Sequence, residues 1–255
     1  MTDQSEFGYR GETKSSDEEI SHRQVLYELF QNRPIPDDQL MIVLGLYMRS
    51  SALAKILFLN ELFDMIIDVP GVIVEFGTWW GQNMALFENL RAIHEPFNQS
   101  RRIIGFDTFS GYPEISEADR ASETIKAGGY NVTKNYREYL DQIIDYHEKN
   151  NVLANVKKHK LIEGDVTETA PRFFAENPET VVALAYFDMA LYEPTKVALE
   201  AVLPHMVPGS VVMLDELNSV DYPGETIAFR EVFGRDGYSI RRSRFIADRT
   251  FVILK

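Results

Sequence analysis

The sequence predicts an α/β fold: a mostly parallel, seven-stranded sheet with helices on both faces, finished by an antiparallel hairpin. Three observations predict it. From Val72 onward, short apolar runs alternate with helical patterns, the signature of strands joined by crossover helices. The first of these runs, Val72–Phe76, leads into two glycines four apart, Gly77 and Gly81, which suit a tight turn opening a helix. The last two runs, Ser239–Phe245 and Thr250–Leu254, are joined only by the turn at Ala247-Asp248-Arg249, too short for a parallel crossover.

Taken in order, residues 1–19 are rich in Ser, Asp, Glu and Gly and predict a flexible arm able to fold over a ligand. Asp17 or Ser21 can cap a first helix carrying Val25, Leu26, Leu29 and Phe30, which Pro34 and Pro36 end. A second helix is expected at Asp38–Met48. A third, at Ser51–Ile67, carries apolar residues at Leu53, Ile56, Leu57, Leu62, Phe63 and Ile66. Strands follow at Val72–Phe76, Ile103–Asp107, Lys160–Glu163, Val182–Phe187 and Ser210–Leu214. Helices are expected after Gly81, near Ala170–Ala175, at Glu193–Leu203 and at Gly224–Phe233. The connection from Gly111 to His159 is too long for a plain crossover. It holds a helix near Tyr136–Asn150 and reads as an insert of the kind that covers sites. The chain thus divides into an arm (1–19), a helical cap (20–70) and an α/β domain (71–255) with an insert at about 111–159. The first helices offer a long apolar stripe, which predicts a homodimer.

The chain has 255 residues, 45% of them hydrophobic, enough for one large core. Its 39 acidic and 26 basic residues give a formal charge of −13, which argues against nucleic acid and anionic membrane as partners. With no cysteine there is no disulfide, thiolate zinc site or cysteine nucleophile, so any metal must be held by oxygen or histidine nitrogen. The polar, acidic start lacks a signal-peptide pattern and no apolar run approaches a membrane span, so a soluble cytoplasmic protein is expected.

In open α/β sheets ligands sit beyond the carboxyl ends of the strands. Those ends are acidic here: Glu75, Asp107, Asp165 after Gly164, Asp188, and Asp215 with Glu216. The first turn, Glu-x-Gly-x-x-x-Gly, departs from the dinucleotide pattern G-x-G-x-x-G and resembles the first motif of S-adenosylmethionine-dependent methyltransferases. Asp107 stands where a carboxylate can accept bonds from both ribose hydroxyls, or can cap Thr108–Gly111. Asp165 can bond an adenine amino group, or serve as N-cap of the next helix. Either Trp79 or Trp80 can cover a sulfonium with its π face, or pack in the core. Asp188, Asp215 and Glu216 come from adjacent strands and cannot converge as carboxylates without a counter-charge. A hard divalent cation, Mg²⁺ first, would supply it, with Asn218 as a further neighbour. Alternatively Glu216 points to solvent and Asp215 caps a turn.

Four stretches carry a wider resemblance: Val69-Pro-Gly-Val-Ile-Val-Glu-Phe-Gly, Ile104-Gly-Phe-Asp-Thr-Phe-Ser-Gly-Tyr-Pro113, Tyr186-Phe-Asp-Met-Ala-Leu-Tyr-Glu-Pro-Thr195 and Gly209-Ser-Val-Val-Met-Leu-Asp-Glu216. Over roughly Leu53 to Asn218 the chain resembles the metal-dependent sugar O-methyltransferases of macrolide and aminocoumarin biosynthesis, the macrocin and mycinamicin type. The resemblance implies the class I methyltransferase (Rossmann-like) fold, an S-adenosyl-L-methionine donor and a sugar hydroxyl acceptor. It implies Mg²⁺ or another hard divalent cation on Asp188, Asp215 and Glu216, the last standing where many members have Asp. On the reading of the strand ends and turns, Glu75, Gly77, Thr78, Gly81, Asp107, Ser110 and Asp165 are the residues expected to hold the cofactor. Family members commonly carry Asp-x-Asp-Leu-Tyr after strand 4, the second Asp being the proposed general base; this chain has Ala190 there. Alanine accepts no proton. Substitutes are Glu193, Tyr192, His94 in the loop before strand 2, Glu216 if it is no ligand, or a metal-bound hydroxide. Rival readings are a methyltransferase for an amine or an already anionic oxygen, a cofactor-binding homologue without turnover, and, against the glycine spacing, a nicotinamide-dependent oxidoreductase.

Overall fold

The computed structural model describes residues 16–119 and 125–255. Most of the predicted arm, residues 1–15, lies outside that range. Its last residues open helix α1 (Asp17–Gln31), capped by Ser16: the Ser16 hydroxyl accepts from the Glu19 amide and the Glu19 side chain accepts from the Ser16 amide. That reciprocal capping box satisfies two donors the first turn would leave bare. The expected second helix is broken. A four-residue helix α2 (Asp37–Leu40) gives way to a 3₁₀ turn at Leu44–Tyr47. Helix α3 (Ser50–Ile66) buries Phe58, Leu59, Leu62, Phe63 and Ile66 completely. Each such side chain contributes about 2 kcal/mol of burial, which ties α3 to the main core rather than to the preceding helices.

The sheet strands are β1 (Val72–Phe76), β2 (Ile103–Asp107), β3 (His159–Glu163), β4 (Val182–Phe187), β5 (Met206–Leu214), β6 (Tyr238–Arg242) and β7 (Thr250–Leu254). Their order is β3-β2-β1-β4-β5-β7-β6. The first five are parallel, β7 runs antiparallel to β5, and β6 antiparallel to β7. Strand β5 begins four residues before the expected Ser210. Met206 pairs with Val182 across a register irregularity, so Pro208 and Gly209 interrupt the ladder without ending the strand.

Helices α3, α4 (Gln82–His94) and α5 (Tyr136–Lys149) cover one face. Helices α6 (Val166–Glu176), α7 (Tyr192–Val202) and α8 (Pro223–Phe233) cover the other. Buried on both faces, β1 and β4 read as unbroken apolar runs with one exception, Glu75. Reversal of direction at β1/β4 opens the switch point where such folds bind ligands.

Candidate active site

One cavity of about 360 Å³ lies beyond the carboxyl ends of β1 to β5. Gly77, Trp79, Asp107, Asp165, Asp188, Asp215 and Glu216 line it, together with Tyr112 and Tyr130 from the insert. Gly77 forms its floor. Its φ is +91°, and a Cβ there would stand 2.2 Å from the backbone oxygen of Asp188, so only glycine lets β1 and β4 come this close. Gly81 turns at φ +71° to start α4, and a Cβ there would strike Leu140 of α5 at 2.3 Å. The two glycines therefore fix the turn against both β4 and the insert helix.

Asp107 orders the turn from the neighbouring strand. Its Oδ2 accepts from the Trp79 amide and its Oδ1 from the Phe109 amide, each at 2.6 Å. Burial raises its pKa, and the two amides oppose that rise. A carboxylate keeps further lone pairs, so both the turn role and a ligand role are open to it. Asp165 likewise does what a cap does: Oδ1 accepts from the Thr167 amide at 2.8 Å, while the residue still lines the cavity. Thr78 is buried, with its hydroxyl 3.4 Å from the Phe106 carbonyl. Ser110 is exposed and does not line the cavity. Glu75 lies behind the turn, fully buried. It accepts from the Asn83 side chain at 2.6 Å through Oε1, while Oε2 has no partner, and burial pushes its pKa up to about 8.

The second constellation is larger than its motif. Asp215 is buried with no donor to its Oδ1, and beside it lies Glu225 of α8, fully buried, whose Oε2 also lacks a donor. Glu225 Oε1 accepts from the Glu216 amide at 2.8 Å. Desolvation and then the neighbouring Asp188 raise the Asp215 pKa well above the usual range, and desolvation takes Glu225 to about 8. Glu216 is raised as well, chiefly by burial. Opposing them is Arg249, from the hairpin turn, which donates to the Asp215 backbone carbonyl at 2.7 Å and stands 3.7 Å from its carboxylate. Sequence reading missed both residues. Glu225 sits in an ordinary helix pattern, and Arg249 reads as a solvated hairpin charge.

Three proposed proton acceptors are not brought to the cavity. His94 ends α4, near the amino edge of the sheet, where it stacks on Phe63 and bonds Asn60 at 2.9 Å. A helix that starts at the carboxyl end of β1 must deliver its last residue to the opposite edge. Glu193, in the first turn of α7, is exposed and absent from the lining. Tyr192 turns its hydroxyl outward to Glu231 at 2.8 Å. Ala190 lines the cavity at φ +61°, a left-handed backbone that Asp and Asn tolerate better than alanine. Trp80 packs edge-on against Tyr136, leaving Trp79 as the indole at the cavity.

Asp188, Asp215 and Glu216 share the cavity wall, but their oxygens do not cluster within 4.8 Å. Among the described residues, the trio whose ligand atoms gather within that distance is Glu88, Glu148 and His159, away from the cavity. There Arg91 pairs with Glu88 and Lys158 with Glu148, so the carboxylates already have cations.

A parallel sheet closed by an antiparallel pair, a glycine turn after β1 and acidic strand ends around one cavity define a class I methyltransferase. A family model for the macrocin O-methyltransferases (TylF) matches residues 53–233. The chain belongs to that family. It is similar to CalS11, a calicheamicin methyltransferase, with a TM-score of 0.91 and 41% identity over 96% of this chain and 98% of that one. The apo structure of CalS11, described as a TDP-rhamnose 3'-O-methyltransferase, aligns with a TM-score of 0.83 and 38% identity over 99% of each chain. A 4'-O-methyltransferase acting on a dimethoxy-rhamnosyl tetracenomycin in Streptomyces olivaceus is 28% identical over 160 residues, covering 58% of this chain and 53% of its own length. The chain thus matches about half the length of that relative.

Proposed function

We propose that this protein transfers the methyl group of S-adenosylmethionine to a hydroxyl of a rhamnose-type sugar, free of or attached to a larger metabolite, with a divalent cation at the acceptor. The observation that carries the reading is the single cavity lined by the Gly77 turn, Asp107 and Asp165 on one side and by Asp188, Asp215 and Glu216 on the other. The names of the relatives support the acceptor class, since both carry a rhamnose or rhamnosyl group.

In this reading Gly77 and its turn hold the cofactor against the β1/β4 edge, with Asp107 at the ribose and Asp165 at the adenine. The unpartnered Asp215 Oδ1 and the all-oxygen donor set of three carboxylates fit a hard cation, which Asp188, Asp215 and Glu216 would hold. A divalent cation lowers the pKa of a hydroxyl it coordinates. With Ala190 at the family's base position, Glu216 would be the carboxylate left to receive the proton in the variant of this reading in which Asp188 and Asp215 alone hold the cation. Trp79 supplies the π face, and the insert tyrosines cover the cavity and exclude water. Alignment then supplies most of the acceleration, as in other direct displacements.

A second reading, favoured by Ala190 and by Arg249 at the cavity, is an acceptor oxygen that arrives already ionised. The pH–rate profile separates them: a hydroxyl acceptor requires a deprotonated group, whereas an ionised one gives a flat limb near neutrality. Asp215→Ala should abolish metal-stimulated turnover while S-adenosylhomocysteine still binds. Full activity in excess chelator would remove the metal from the mechanism. Exposed Val25, Leu29, Met41, Ile42 and Leu46 support self-association, which sedimentation tests.

A further inference from the structure

Lys55 also reaches the cavity wall. It stands in the second turn of α3, the end of that helix directed at the carboxyl edge of the sheet. The other charged residues lining the cavity are Asp107, Asp165, Asp188, Asp215, Glu216 and Arg249. Arg249 is engaged with Asp215. Lys55 makes no hydrogen bond or ion pair with any described residue. An ammonium held at the wall of a mostly acidic cavity, with no hydrogen-bond or ion-pair partner among the described residues, suits an anion brought by a ligand.

Its place in the sheet indicates which anion. Phe58 of helix α3 meets Tyr186 of β4 edge-on and stacks on Phe251 of β7, and the helix also contacts β5. The Lys55 ammonium lies near enough to Glu75 of β1 to oppose the rise of that carboxyl's pKa. Lys55 therefore belongs to the β1/β4 side of the cavity, and Asp107 and Asp165, at the ends of β2 and β3, to the other. A cofactor with its adenosine over β2 and β3 extends its amino-acid end toward β1, and Lys55 is the lining cation on that side that no described residue engages.

We propose that Lys55 binds the α-carboxylate of the methionine portion of the cofactor, an inference that rests on the S-adenosylmethionine reading above. The test is calorimetric binding of S-adenosylhomocysteine and of 5'-methylthioadenosine, which lacks the amino-acid end, to the full chain and to Lys55→Met and Lys55→Arg. Met keeps the stem and removes the charge. Lys55→Met should weaken S-adenosylhomocysteine by about ten- to hundredfold, the range of a charge-assisted bond. Its affinity for 5'-methylthioadenosine should not change, and Lys55→Arg should recover most of the loss. Equal weakening of both ligands would mean a general structural role and would overturn the assignment. So would unchanged S-adenosylhomocysteine affinity, and in particular unchanged affinity with loss of inorganic pyrophosphate binding, which would assign the lysine to a phosphorylated acceptor. Failure of the unaltered protein to bind either nucleoside would instead sink the cofactor reading itself.

Discussion

Replacing Glu75 with glutamine tests the electrostatics of the turn. Glu75 is fully buried in the central strand, and burial pushes its pKa from 4.5 to about 8. The Asn83 bond and the charge of Lys55 pull it down but do not prevail. The native state therefore holds a proton that the unfolded chain releases. The associated stability is complete below about pH 4.5 and is lost as the pH climbs to about 8, at about 1.4 kcal/mol per unit. Glutamine can keep the bond from Asn83 through its carbonyl oxygen and does not titrate. Its amide meets the same unpartnered environment as Oε2, a cost of about 1 kcal/mol at every pH. Urea denaturation of cofactor-free protein should show the variant slightly less stable near pH 5. By pH 7 the difference should have moved about 2.7 kcal/mol in its favour. A difference that stays flat across that interval would refute a buried, neutral Glu75. Saturating S-adenosylhomocysteine should reduce the pH dependence of the wild type if the carboxylate serves the ligand as an anion.

Three further outcomes are expected. Ala190→Asp places a carboxylate on a backbone already at φ +61°, and with a hydroxyl acceptor it should raise kcat by about tenfold or more, while Ala190→Asn, equally compatible with that backbone, should not. Asp119→Ala removes the carboxylate that accepts from the Tyr192 amide at 2.8 Å and from Ser116, so α7 loses its first-turn partner; a loss of about 1 kcal/mol and faster proteolysis within the insert should follow. Arg249→Leu should lower the magnesium concentration for half-maximal turnover, since a competing positive charge has gone, and should lower the melting temperature of metal-free protein, since Asp215 loses its cation.

Sheet positions were legible because burial on both faces leaves a plain trace: Val72–Phe76, Ile103–Asp107 and Val182–Phe187 are apolar runs interrupted only by Glu75, Gly105 and the terminal Asp107, and the structure bounds them at the expected residues. Helix α2 was less legible, because Leu44, Leu46 and Met48 keep an apolar rhythm although they are largely exposed, so the pattern does not report a packed face. Among the candidate site residues, those ending strands reach the cavity because topology sends them there. Ser110, Glu193 and His94 have the right chemistry and lie near the motifs in sequence, but neither property fixes where a side chain points. The pitch of α7 turns Glu193 outward, and the length of α4 carries His94 to the wrong edge.

Glu225 and Arg249 change what the acidic wall means. Three converging carboxylates in sequence imply an absent cation, and the fold answers with a fourth carboxylate and one guanidinium. Glu225 reaches Asp215 from α8, and Arg249 reaches it from the hairpin. Charge therefore remains unbalanced even though a cation is present, and protons make up part of the difference, as the raised Asp215 and Glu225 indicate. A divalent cation entering this wall must displace those protons, so its binding should release protons and strengthen as the pH rises. Metal titrations at two pH values measure that linkage directly. Affinity independent of pH would mean that the carboxylates are already ionised and that Arg249 alone compensates them.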